Sequence, residues 1–353
     1  MTGPGNTPLI EVRNLVKHFP ITGGIPFQSQ SQSDAVKAVD GVSLHAMAGE
    51  TLGIAGESGA GKSTIARLIV RLLVATEGEV LFEGEDIAAR AGARLKALSR
   101  QMQMIFPDPY SSLNPRRTAG SIIAEPFAIH VHNAGGERKR RVQELLERVG
   151  LSAEDYNRYP HELSGAERQR VGIARAIALA PKLLVADEPA SALDVSTQAQ
   201  LLNLLRDLRR VLGLTLIFIS RDLSVVAHMC DRVAVMYLGK IVELAPTDAL
   251  YRFPRHPYTG ALLSAVPIPG LPRDLHPAGE RRERQLHSDE MPSPANPPSG
   301  CRFHPRCPKA QPRCSLQEPA LSDQGAGSLA ACHFPLTQEE AERMLPSAPT
   351  GAG

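Results

Sequence analysis

The sequence has no apolar run long enough to cross a bilayer. Its best candidate, Val211 to Ser220, is about a strand in length, far short of the ~20 residues that span a membrane. The stretch Met1 to Arg13 carries no apolar signal-peptide core. These absences predict a chain that stays in the cytoplasm and meets a membrane only through a partner. A surplus of positive charge is missing too. The net charge of +2 leaves no broad basic footprint, which argues against nucleic acid as a partner. The basic run Arg138 to Arg141 reads instead as a solvated helix face. No internal repeat is present. Cysteine is scarce outside the last quarter: of five, four are Cys301, Cys307, Cys314 and Cys332, while Cys230 stands alone and reads as a buried thiol.

What remains is an ordinary soluble composition, 42% hydrophobic and 22% charged, in a chain of 353 residues, enough for one large core and a smaller appended module. Two composition shifts divide it. Gly23 to Ser33 lacks hydrophobic periodicity and reads as an exposed loop. Beyond residue 250 proline is dense, with 17 of 29 prolines, so long helices and central strands are not expected there. Between these shifts, short apolar strands alternate with helices. Thr51 to Ala55, Lys182 to Ala186 and Thr215 to Ser220 read as buried strands. Ser63 to Leu73, Arg168 to Leu179 and Gln198 to Leu212 read as helices. The alternation predicts an α/β fold with a mainly parallel sheet covered on both faces. Val233 to Met236 and Lys240 to Glu243 predict a hairpin through Leu238 and Gly239. The block from about Leu95 to Ser164, with Glu137 to Val149 as a helical pattern and no convincing strand, predicts a helical insertion.

Gly56-Glu57-Ser58-Gly59-Ala60-Gly61-Lys62-Ser63-Thr64 matches the phosphate-binding loop pattern and sits between a predicted strand and a predicted helix. Its glycines let the backbone approach a polyphosphate, and successive amides plus the helix N-terminus supply positive potential. Lys62 is placed to reach the β- and γ-phosphates, and Ser63 to offer its hydroxyl to Mg²⁺. A second element, Leu183 to Pro189, delivers two acids at the end of a buried strand. Asp187 would hold Mg²⁺, directly or through water, and Glu188 would polarise the attacking water as general base.

Leu163-Ser164-Gly165-Ala166-Glu167-Arg168-Gln169-Arg170, just before those acids, resembles the signature of ATP-binding cassettes, and Ser191-Ala192-Leu193-Asp194 resembles their D-loop. From about Ile10 to Pro267 the chain is similar to the ATP-binding subunits of ABC transporters. The resemblance implies a cassette over residues 8–255 with a RecA-like core, an antiparallel β subdomain and a helical subdomain at about 95–164. It also implies a dimer with two ATPs sandwiched between subunits. Ser164, Gly165, Ala166 and Glu167 would then serve the partner's nucleotide, and Phe19 would stack on adenine. Asp108 to Arg116, Lys37 to Ser43, His256 to Thr259 with Ala261 to Leu263, and Gly300 to Pro308 are similar to the oligopeptide/dipeptide importers. That finer likeness implies a C-terminal extension over 256–353, a second ATP-binding subunit, two membrane permeases, a solute-binding protein and a place on the cytoplasmic face of the cell (inner) membrane. Nickel, opines or other small solutes are alternative cargoes.

Four positions depart from that family. Pro107 stands where the resemblance implies a glutamine, and proline has neither a polar side chain nor an N–H. Arg221 replaces a histidine with a permanent cation that has no acceptor. Ala166 and Glu167 replace glycine and glutamine, adding a methyl group and a negative charge to the signature. The expectation is a site that binds Mg-ATP but turns it over poorly, which tilts the reading towards a heterodimer. A nucleotide-binding structural subunit is the alternative. A soluble cassette protein of DNA repair or translation is disfavoured, because tandem cassettes and coiled-coil insertions are absent.

Cys301, Cys307, Cys314 and Cys332 do not follow the spacing of a two-fingered zinc ribbon. Four thiolates suit either a [4Fe–4S] cluster or tetrahedral zinc, and the resemblance implies the iron–sulfur choice. His304 and His333 are possible substitute ligands, although surface histidine is the plainer reading of each.

Overall fold

The computed structural model describes residues 7–21, 35–88, 91–131, 135–265 and 291–344. The predicted loop Gly23 to Ser33 lies outside them. Along the chain the strands are β1 (Ile10–Pro20), β2 (Ala35–Ala46), β3 (Thr51–Ala55), β4 (Glu77–Phe82), β5 (Glu85–Asp86), β6 (Met102–Ile105), β7 (Leu183–Asp187), β8 (Thr215–Ser220), β9 (Arg232–Tyr237), β10 (Lys240–Pro246), β11 (Ser322–Asp323) and β12 (Leu329–Ala330). They form two sheets, ordered β2-β1-β4-β5 and β11-β12-β10-β9-β3-β8-β7-β6. The first is antiparallel. In the second, β9, β3, β8, β7 and β6 run parallel, and β10, β12 and β11 add an antiparallel edge.

The parallel strands are largely apolar because both faces are covered. Side chains alternate between the faces. Leu184, Ala186, Leu216 and Phe218 enter one core, and Leu183, Val185, Ile217 and Ile219 enter the other. The helices along the chain are α1 (Lys62–Ile69), α2 (Gly92–Gln101), α3 (Pro109–Ser112), α4 (Ala119–His130), α5 (Gly135–Arg148), α6 (Gly165–Ile177), α7 (Val195–Leu212), α8 (Leu223–Met229), α9 (Thr247–Arg252), α10 (Pro257–Ser264), α11 (Pro312–Leu316) and α12 (Gln338–Met344). Residues of α4 to α8 fill the first core. Those of α1, β1, β2 and β4 fill the second. Cys230 is buried and free, as expected; a Cβ on Gly53 would lie 2.8 Å from its Sγ, so β3 and the end of α8 meet at a glycine.

Several sequence expectations need correction. The first helix ends at Ile69 rather than Leu73, where Arg71 turns the chain with φ 57°. The helices expected from Arg168 and Gln198 begin earlier, at Gly165 and Val195, because Ser164 and Asp194 cap them. The block read as helical without strands contains β6, an edge strand whose register with β7 pairs Met104 with Val185. The hairpin holds, with both strands longer than read. Arg140 and Arg141 are solvated on α5, as expected, and pair with Glu144 and Glu137.

The described part of the proline-rich tail is built of short pieces, as its composition predicts, yet it is tied to the main sheet. β12 pairs with β10 through Glu243 and Ala330, and α12 packs on α10 through Ala261, Leu336, Ala341 and Met344. Phe303 from this tail sits among Tyr237 and Tyr258, with ring centroids 5.4 and 5.3 Å away.

Candidate nucleotide-binding site

The site lies at the C-terminal ends of β3, β7 and β8, where a parallel sheet opens between its helices. The loop from Gly56 to Gly61 leaves β3 and turns into α1. Two glycines are dictated by close backbone approach. A Cβ on Gly56 (φ 148°) would lie 2.2 Å from the Met236 carbonyl, and one on Gly61 (φ 105°) 2.1 Å from that of Ala38. Lys62 folds back over the loop, its Nζ donating to the carbonyls of Gly56 and Glu57 at 2.8 Å each. Burial pushes the Lys62 ammonium down from its ordinary range, and the carboxylates of Glu188, Asp187 and Glu57 oppose that.

Ser63 Oγ donates to Asp187 Oδ1 at 3.0 Å. Asp187 is fully buried, and burial raises its pKa. Its Oδ2 has no hydrogen-bond partner. An orphaned, buried carboxylate oxygen beside a hydroxyl is a costly arrangement for an empty protein and a suitable one for a hard cation. The two residues therefore fit Mg²⁺. Glu188 follows with φ 45°, a left-handed conformation rare for a residue with a side chain. Its N–H donates to the Ile219 carbonyl and its own carbonyl accepts from Ser191, which fixes the strained turn. Its Oε2 accepts from Arg221 Nε at 3.0 Å. The general-base candidate is thus already paired with a permanent cation.

Pro107 is half-buried between Phe106, whose carbonyl accepts from Gln169 Nε2, and Asp108, whose carboxylate caps the Tyr110 amide. Gln169 and Arg168, which stacks on Tyr110 at 3.8 Å, tie this segment to α6. Phe19 is half-buried on β1, with Lys17 Nζ 5.1 Å from its ring centroid, and it belongs to neither main core.

Lys62, Ser63, Asp187, Glu188 and Arg221 come together. Among the described residues, no hydrogen bond or ion pair joins Ser164, Gly165, Ala166, Glu167 or Asp194 to them. Ser164 instead caps α6 in a reciprocal box: Glu167 N–H donates to Ser164 Oγ at 3.3 Å, and Ser164 N–H to Glu167 Oε2 at 2.7 Å. The added charge of Glu167 is therefore turned back on its own helix end, with Arg158 3.6 Å away. Those Ser164 hydrogen bonds hold the Glu167 carboxyl below its usual range. Asp194 caps α7 through Thr197 and Ser196, and these bonds lower its pKa to about 2.

The four tail cysteines line a single cavity of about 10 Å³, together with His304 and His333. Burial raises Cys307 to about 11 and Cys332 to about 12. Both histidines are half-buried; His304 Nδ1 lies 2.9 Å from the Cys301 carbonyl and His333 Nε2 2.8 Å from that of Gln317. Among the described residues, no group of three or more His, Cys, Asp or Glu side chains is arranged to hold a metal ion. Sequence reasoning missed the contacts on Glu57. Its N–H donates to Tyr258 Oη at 3.0 Å, and its carboxylate meets Arg306, which lies 249 residues further along.

The ABC transporter family model matches residues 39–191, and that of the oligopeptide/dipeptide transporter C-terminal region matches 242–314. The chain is 50% identical to the oligopeptide transport ATP-binding protein AppF of Bacillus subtilis, over 95% of this chain and 99% of that protein. It is 53% identical to a probable peptide ABC transporter ATP-binding protein, y4tS, of Sinorhizobium fredii, over 92% and 89% of the two chains. Among solved structures, a dimeric ATP-binding cassette in a post-hydrolysis state, bound to ADP and Pi, superposes with a TM-score of 0.59 at 28% identity, covering 67% of this chain and 98% of that one.

Proposed function

The chain belongs to the ATP-binding subunits of ABC transporters, in the oligopeptide/dipeptide importer family, and from that premise we propose that it binds Mg-ATP at the Gly56–Thr64 loop to power peptide uptake through membrane permeases. The observation that carries this reading is Lys62 resting on two carbonyls of its own loop beside the Ser63–Asp187 pair and the orphaned Oδ2. Those carbonyl contacts are exchangeable for phosphate oxygens. The loop amides would cradle the β-phosphate, and Lys62 would reach the β- and γ-phosphates. Mg²⁺, held by Ser63 and Asp187, would neutralise charge on the transferring phosphoryl group. Glu188 would orient and deprotonate the attacking water, and Phe19 would carry the adenine.

Ser164 and Asp194 are exposed and Gly165 to Glu167 half-buried, and in a cassette pair they would complete the nucleotide site of the partner subunit. With two permeases and a solute-binding protein, such a pair would sit on the cytoplasmic face of the membrane; among the described residues no helix is long and apolar enough to cross it. The test is ATP-dependent uptake of a labelled oligopeptide by vesicles holding the assembled transporter. Uptake of nickel or another small solute in place of peptide would change the cargo and leave the ATP reading standing.

A specific observation favours a weaker site within that assembly. Glu188 is paired with Arg221, and Pro107 offers no polar group. This chain would then hold ATP with little turnover, in a heterodimer whose other subunit hydrolyses.

Four free thiols lining one cavity are the donor set of a four-thiolate site, and burial holds Cys301, Cys307 and Cys332 above the ordinary thiol range, which a bound cation would reverse. A bound [4Fe–4S] cluster or zinc ion would supply that charge and knit the tail together. Iron and sulfide in the purified protein, with absorbance lost in Cys307→Ser, would support the cluster; stoichiometric zinc would replace it, and absence of both metals would end the proposal.

A further inference from the structure

An acid inside an anion-binding loop works against the loop's purpose. Glu57 is the second residue of the phosphate loop, and its charge is felt at Lys62. A polyphosphate seated on the loop would meet that carboxylate at short range. The compensating cation comes from the far end of the chain. Arg306 closes a two-pronged pair on Glu57, with Nη1 to Oε2 at 3.0 Å and Nη2 to Oε1 at 3.2 Å. The Arg306 side chain is 3% exposed and that of Glu57 26%, so water screens the pair poorly. Arg306 Nη1 also lies 3.4 Å from Tyr237 Oη, and Tyr258 Oη accepts the Glu57 N–H at 3.0 Å. Behind them Tyr237, Tyr258 and Phe303 pack ring against ring. Arg302 anchors the same tail segment on the Leu238 carbonyl and Asp40. A planar guanidinium gripping both carboxylate oxygens fixes position as well as charge.

We propose that Arg306 is a positioning residue for nucleotide binding: it neutralises Glu57 and holds that carboxylate away from the phosphates, so the loop takes a polyphosphate well only when the C-terminal tail is seated. The inference rests on the reading of the loop as an ATP site. It is tested with the full chain and Mg-ATP by calorimetry, comparing the parent with Arg306→Gln, Arg306→Lys, Glu57→Gln and the Glu57→Gln/Arg306→Gln double variant. Arg306→Gln leaves an uncompensated acid beside the phosphates, so its Kd rises about tenfold. Arg306→Lys keeps the charge and recovers most of the loss. Glu57→Gln leaves Arg306 an unpaired cation beside the loop and so binds more tightly than the parent, by about threefold or more, and the double variant returns to within about twofold of the parent.

If Arg306 only supported the fold, the double variant would stay as weak as Arg306→Gln, and that result overturns the proposal. So does an Arg306→Gln protein with the parent's affinity. Should Arg306→Gln fail to fold, Glu57→Gln decides, since binding no tighter than the parent's there contradicts the charge argument. Lys62→Ala, run alongside, separates the two levels. A parent that binds no better than Lys62→Ala removes the ATP reading itself, whereas a parent that binds well, matched by Arg306→Gln, removes only the role of Arg306.

Discussion

If this site turns over slowly, as proposed, replacing Arg221 with histidine and Pro107 with glutamine should speed it. Arg221 Nε sits 3.0 Å from Glu188 Oε2, with the arginine side chain 54% exposed and the glutamate 17%. At that distance two unit charges attract by about 1.4 kcal/mol in water and about 5 kcal/mol at an effective dielectric of ~20. The open arginine end discounts both figures, leaving about 1 kcal/mol at most. Glu188 must release Arg221 before it can face the attacking water, and about 1 kcal/mol of pairing to be broken slows that step about fivefold. Histidine removes the permanent charge and adds an acceptor, and glutamine restores a polar group that proline lacks. Single-turnover hydrolysis of Mg-ATP by the chain assembled with its partner subunit reads the effect. Arg221→His/Pro107→Gln should hydrolyse at least about fivefold faster than the parent, and adding Glu188→Gln should erase the gain. A double variant no faster than the parent, or a gain that survives Glu188→Gln, would refute the reasoning.

Gly61→Ala should abolish ATP binding and lower stability by on the order of 3 kcal/mol in chemical denaturation, because its methyl would meet the Ala38 carbonyl at 2.1 Å from a left-handed backbone. Ser164→Ala should cost about 1 kcal/mol by removing the cap of α6, read in the same melts. The buried pair at the root of the tail sets a pH signature. Burial raises Glu243 from 4.5 to about 7 and lowers His256 from 6.5 to about 3. The Glu243 contribution is complete below pH 4.5 and fades as pH rises to about 7, whereas that of His256 is complete above pH 6.5 and fades as pH falls, so the two offset each other between. Glu243→Gln removes the first term, and its stability relative to the parent should climb by about 3 kcal/mol from pH 4.5 to 7; a flat difference would show that Glu243 is ionised in the fold.

The central sheet was legible because β3, β7 and β8 are each continuous apolar runs whose burial on both faces needs no distant information. The phosphate loop and the Asp187–Glu188 pair were legible for the same reason: each acts as one contiguous segment fixed by local turns. β6 was not. Its four residues include polar Gln103 and gain strand character only from pairing with β7. The seat of the tail was equally hidden. Its strand contact with β10 spans only two residue pairs, and the Arg306–Glu57 pair depends on 249 intervening residues folding first. The altered positions were visible as letters, but the sequence could not say that Arg221 would reach back to Glu188, or that Glu167 would spend its charge on its own helix cap.

Titrating the purified full chain with Mg-ATP, beside a Lys62→Ala variant matched to it in thermal stability, addresses the core of the account. Saturable one-to-one binding by the parent, weakened at least about a hundredfold in Lys62→Ala, is the expected result. Equal affinity in the two proteins, or no binding in either, would contradict it.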